Sequence, residues 1–179
     1  MTISDAVIFF VSGLAVFFDL SIRKIPNWVI LVGLLCGLTL NGFHGSSYLI
    51  ASILGFLAGI ILLILPFALG WLGAGDVKYF GVVGALLGVS WLPRVFFYSA
   101  LVAGSIAAGY VLTGFGRTLR FKELWWDLKT IVYTGGQLLP NCVSARTSEQ
   151  GVSVPWGVAF AAGTILAYYL DSTGKWASF

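Results

Sequence analysis

The chain has 179 residues, of which 59% are hydrophobic and 9% charged, with a mean hydropathy of +0.96 and a formal net charge of +3. Soluble domains carry roughly a quarter charged residues, so this composition excludes a water-soluble protein and predicts one membrane-embedded domain over residues 1–179, with the lipid bilayer as its first partner. The small net charge gives no reason to expect nucleic acid, and two cysteines, Cys36 in an apolar run and Cys142 in a polar segment, make no disulfide framework.

A spanning helix needs about 20 mostly apolar residues. The first such stretch is Ile3 to Leu20; it has no basic n-region and no small-x-small cleavage site before Asp19, so it reads as a permanent helix rather than a signal peptide. The second is Trp28 to Phe43. Ile25 before Pro26 is held extended, Pro26 or Asn27 starts the helix, and Trp28 anchors it at the interface. His44 follows in "NGFHGSSY"; with no Cys, Asp or Glu near it in sequence, it reads as a turn residue and not as a metal ligand. The third and fourth stretches are Tyr48 to Trp71 and Val77 to Leu92, and the fifth is Arg94 to Thr113. The sixth is Val152 to Leu170, with Pro155 placed to start it. Continuous runs of this length are helices and not the alternating strands of a barrel, so the expected fold is all-α and polytopic, with about six transmembrane helices.

Between the fifth and sixth stretches lies a polar segment, residues 114–151. In it Phe121, Leu124, Trp125, Leu128, Ile131 and Val132 recur at helical spacing, which predicts an amphipathic helix on the inner membrane face. A solvated connector and a substrate-binding lid fit this segment equally. Orientation follows from the basic residues. With the N-terminus outside, Arg23, Lys24, Lys78, Arg117, Arg120, Lys122, Lys129 and Arg146 lie inside, and only Arg94 and Lys175 lie outside. GxxxG spacings at Gly33/Gly37, Gly55/Gly59 and Gly84/Gly88 predict close helix packing.

Two carboxylates stand apart from the other acidic residues. Asp19 and Asp76 lie against the inner ends of apolar helices, where ionisable groups are expensive and are functional candidates by default. Two predicted crossings separate them, so both fall on the same face in either orientation. Gly73 and Gly75, just before Asp76, remove side chains, allow positive φ and let a substrate strand approach closely. Asp76 opens helix four, where free N–H groups favour a negative charge, whereas Asp19 sits in the last turn of helix one, where the dipole opposes one. A close pair in such unlike settings can divide roles, one carboxyl holding a proton while the other activates water. Arg23 and Lys24 work against this by favouring ionised Asp19. The structural alternatives are a helix cap for Asp76 and a boundary ion pair with Arg23 or Lys24 for Asp19.

Asp19 followed by "IRKIPN" (Ile22 to Asn27), then "GAGDVKYFGVVGALLG" (Gly73 to Gly88), then "VPWGVAFAAG" (Val154 to Gly163), resembles the prepilin peptidases, the GxGD-type aspartyl proteases of the A24 family. The resemblance implies a multi-pass endopeptidase of the inner (cytoplasmic) membrane. Such an enzyme cleaves the short, basic, glycine-ended leader of type IV pilin-like precursors at the cytoplasmic face. Carried over by position, Asp19 and Asp76 are the catalytic pair, with no metal or cofactor. The bifunctional members carry a methyltransferase segment with paired cysteines; this sequence shows no CxxC and no room for that segment ahead of helix one. It looks more like the short, peptidase-only members serving tight-adherence (Tad/Flp) pili, the TadV or CpaA type. Two other functions compete. A small proton-coupled transporter would use the paired carboxylates as a relay, but would place an acid nearer the midplane. For a purely structural assembly subunit the GxGD turn would be incidental.

Overall fold

A computed structural model describes residues 3–112 and 155–170. The expected inner segment 114–151, with its interfacial helix, lies outside the described residues, as do Cys142 and Asp171. Six α-helices are described: α1 (Ile3–Ile22), α2 (Asn27–Phe43), α3 (Ser46–Ala68), α4 (Ala74–Leu87), α5 (Leu92–Leu112) and α6 (Trp156–Leu170). A short 3-10 turn, Val89–Trp91, joins α4 to α5. No strand is present among the described residues, so the all-α expectation holds.

The helices are consistent with a membrane protein, yet they are unequal. Ser46–Ala68 and the run Val89–Tyr110 are long and apolar enough to cross a bilayer; Ala6–Ile22, Asn27–Phe43 and Trp156–Leu170 are shorter apolar helices. The fourth expected span is corrected most. With 14 residues, α4 is about 21 Å long, short of the roughly 30 Å hydrocarbon core. It stops because Gly88 takes φ +90°, a left-handed conformation that ends the helix before the expected Leu92.

α4 is the centre of the bundle. Val77 and every residue from Tyr79 to Leu86 are buried, which a helix can achieve only when neighbours surround it. α3 comes closest, backbone on backbone: a Cβ on Gly59 would lie 2.9 Å from the Gly81 Cα and the Phe80 carbonyl, and one on Gly55 would run into the Gly84 carbonyl. On α2, a Cβ at Gly33 would meet Val82, and one at Gly37 would meet Leu86 and Ala85. The expected packing role therefore fits Gly33, Gly37, Gly55, Gly59 and Gly84, but not Gly88, which has nothing within 4 Å of its would-be Cβ. Outward-facing Ile50, Leu57, Ile61 and Leu65 leave the far side of α3 apolar and exposed, as suits a lipid-facing surface.

The C-terminal carbonyls of α4 end among side chains. Ser52 and Asn41 both donate to the Ala85 carbonyl, at 2.7 and 3.0 Å. This satisfies a helix end that would otherwise leave an acceptor unpaired. His44 caps α2, its Nδ1 2.8 Å from the Leu40 carbonyl, in the turn where the sequence puts it.

Candidate active site

Asp19 ends the inward stripe of α1. Ile8, Val11, Ser12 and Ala15 recur at helical spacing on the buried side, and Asp19, one turn further, is 6% exposed. Its Oδ2 accepts the Val158 N–H at 3.0 Å. Val158 lies in the first turn of α6, where backbone N–H groups have no partner within the helix, so the carboxylate supplies one from another helix. The approach is possible because residue 157 is glycine. A Cβ there would lie 2.8 Å from Asp19 Oδ2 and 2.9 Å from its Cγ. Arg23 and Lys24 are exposed, Arg23 at φ +52°, and among the described residues neither forms an ion pair with Asp19.

Asp76 is placed by a tight turn. Gly70, at φ +74°, follows the end of α3, where the Gly70 N–H donates to the Phe67 carbonyl and the Trp71 N–H to the Pro66 carbonyl. This Schellman pattern stops α3 and turns the chain back toward α4. Gly73 then caps α4 at φ −79°, and Asp76 occupies the third helical position with its Oδ2 accepting the Gly73 N–H at 3.0 Å. Two expectations change. Asp76 sits in the first turn instead of opening the helix, and neither Gly73 nor Gly75 adopts a positive φ. A Cβ on Gly75 would meet Ile25 at 3.4 Å, so this glycine lets the segment after α1 lie against the start of α4. Lys78 Nζ donates to Asn27 Oδ1 at 3.2 Å, tying the starts of α4 and α2 together.

The two carboxylates are brought together. Asp19 acts electrostatically on Asp76, one from the last turn of α1 and the other from the first turn of α4. In each, Oδ2 holds one backbone N–H, and among the described residues Oδ1 has no protein partner. That leaves one oxygen of each acid able to hydrogen-bond a water or a substrate carbonyl. The sequence reading missed Gly157 and Val158. Gly157 lies in the quoted "VPWGVAFAAG", but its role depends on what stands opposite, and no local pattern carries that.

The model of the type IV leader peptidase family matches residues 6–108, which include both aspartates. The prepilin leader peptidase/N-methyltransferase of Bacillus subtilis (strain 168) is 37% identical over 100 residues, covering 54% of this chain and 40% of the relative. The match thus spans less than half of that relative's length. No solved structure matches the chain. With the family model covering more than half of the sequence, this chain belongs to the type IV leader peptidase family.

Proposed function

We propose that this chain is an aspartyl endopeptidase of the inner membrane that removes the leader of type IV pilin-like precursors at the cytoplasmic face, with Asp19 and Asp76 as its catalytic pair. The observation that carries the reading is the meeting of these two acids, from distant parts of the sequence, in a chain of this family. In the reaction, the ionised carboxylate takes a proton from water as its oxygen attacks the scissile carbonyl carbon. The protonated carboxyl gives its proton to the carbonyl oxygen, forming a tetrahedral gem-diol; proton transfer to the amide nitrogen then lets the C–N bond break. The chemistry needs only the two carboxyls and water.

The backbone amides of Gly73 and Val158 hold one oxygen of each acid and so fix the direction of the other. Gly73 is exposed beside Asp76 and would leave room for an extended substrate strand, whereas the space beside Gly75 is taken by Ile25. The whole of residues 1–179 forms one domain in this reading, crossing the membrane several times with the N-terminus outside and 114–151 in the cytoplasm. The basic-residue asymmetry supports that orientation. The transporter reading gains nothing from the geometry, because both acids lie at helix ends and not near the middle of a helix.

We assign the chain to the Tad/Flp-type members, whose motif pattern it resembles, and the state of the product's new N-terminus tests that subtype. A pilin-like substrate enters the bilayer as an apolar helix, whose backbone is closed to a protease. The cut therefore falls just cytoplasmic of that helix, directly after the leader's terminal glycine. Mass spectrometry of the product from reconstituted protein, precursor and S-adenosylmethionine tests this. The expected product starts at that bond with an unmodified amine; a cut inside the apolar helix contradicts the geometry, and a methylated amine contradicts the subtype.

A further inference from the structure

Three buried hydroxyls meet in the bundle away from the carboxylate pair. Ser12 on α1, Tyr79 on α4 and Thr164 on α6 are 1%, 1% and 2% exposed. Ser12 Oγ lies 2.8 Å from the Tyr79 hydroxyl, Thr164 is near enough to act on that hydroxyl from the other side, and Thr164 donates to the Phe160 carbonyl at 2.7 Å. The Thr164 hydrogen goes to the Phe160 carbonyl, whereas either oxygen can donate in the bond between Ser12 and Tyr79. The result is a buried cluster around Tyr79 that draws hydroxyls from α1, α4 and α6 together. In an apolar interior an orphaned hydroxyl finds no water, so each link depends on the others.

The same three helices carry the site. Ser12 is two turns from Asp19 on one face of α1, Tyr79 is one turn from Asp76 on α4, and Thr164 is two turns from Gly157 on α6. Proteolysis by the two acids uses none of these hydroxyls. Apolar helix surfaces leave axial sliding weakly opposed, whereas a buried hydroxyl cluster closes at one register only. We infer that Tyr79 is a positioning residue, whose hydroxyl, held between Ser12 and Thr164, locks α1, α4 and α6 in the register that sets Asp19 against Asp76. The inference rests on the reading of those acids as the catalytic pair.

Tyr79→Phe keeps the ring and removes only the hydroxyl, and two measurements on reconstituted protein read its effect. At equal concentration of monodisperse protein, kcat for precursor cleavage should fall roughly tenfold with KM unchanged, as misplacement of reacting groups predicts. Independently of activity, Asp19→Cys/Asp76→Cys in a Cys36→Ala/Cys142→Ala background should react with a short bis-maleimide, and adding Tyr79→Phe should lower that cross-linking severalfold. Unchanged cross-linking overturns the inference, whatever happens to kcat, and so does unchanged kcat. If the parent chain does not cleave precursor but its cross-linking responds to Tyr79→Phe, the register stands and the peptidase reading falls. Should Tyr79→Phe not yield folded protein, Thr164→Val is compared with Thr164→Ser. Serine keeps the hydroxyl and should preserve both readouts, and valine should lower both; loss of fold in the valine variant as well would make the cluster a folding requirement and overturn the positioning role.

Discussion

Gly157 makes the sharpest steric demand at the site, because its missing side chain is what admits Asp19 to the start of α6. In Gly157→Ala the new methyl, 2.8 Å from Asp19 Oδ2, forces the carboxylate or α6 to move. The expected outcome is at least a tenfold loss of precursor cleavage with a stability cost of about 1–3 kcal/mol, the range for overpacking. Cleavage rates and thermal melting in detergent check both, and a variant as active as the parent would show that the Asp19–Val158 contact is dispensable. The aspartates themselves were legible in the sequence. An ionisable group at the edge of an apolar run stands out, and counting crossings brings Asp19 and Asp76 to one face. Gly157 and Val158 were not, since a glycine's necessity appears only when its neighbour across the bundle is known. The first-turn position of Asp76 was hidden for a similar reason, because either Gly73 or Asp76 can begin a helix after a glycine-rich turn.

At the scale of the elements, α4 carries most of the structural burden, and α3 is its closest support. Gly84→Ala would place a methyl against the Gly55 carbonyl, where backbone and not a flexible side chain must yield. The two helices then separate, at a cost of about 1–3 kcal/mol. We expect a lower midpoint in detergent-mediated unfolding for Gly84→Ala, and little change for Gly104→Ala on α5, where nothing lies within 4 Å of the would-be Cβ. Equal effects at both positions would contradict the close crossing. The existence and type of the helices were readable from uninterrupted apolar runs, and their ends less so. α3 stops at Ala68 because Gly70 turns left-handed, and α4 stops at Leu87 because Gly88 does the same. A glycine inside an apolar run reads equally well as a packing contact or a stop, and Gly84 and Gly88, four residues apart, take one role each.

For the whole molecule, the proposed cleavage needs one face that holds both acids and looks into the cytoplasm. In a cysteine-free background, Lys24→Cys and Ser46→Cys should be labelled by an impermeant maleimide from opposite sides, with residue 46 reached from outside. Labelling of both from outside would contradict the orientation and the crossing count together. Composition alone made the membrane class legible, because 9% charged residues cannot clothe a soluble surface. Unequal lengths were legible too, with the second and fourth stretches short, but the bounds of α4 were not, since they depend on the turns at Gly73 and Gly88. The proposed hydrolysis by Asp19 and Asp76 is checked by comparing the parent chain with Asp19→Asn and Asp76→Asn, each purified, folded and reconstituted with a pilin-like precursor. Asparagine keeps the shape and can still accept the Val158 or Gly73 N–H, but it cannot exchange a proton. Complete processing by the parent and intact precursor with either variant is the predicted result; parental cleavage rates in either variant would contradict it.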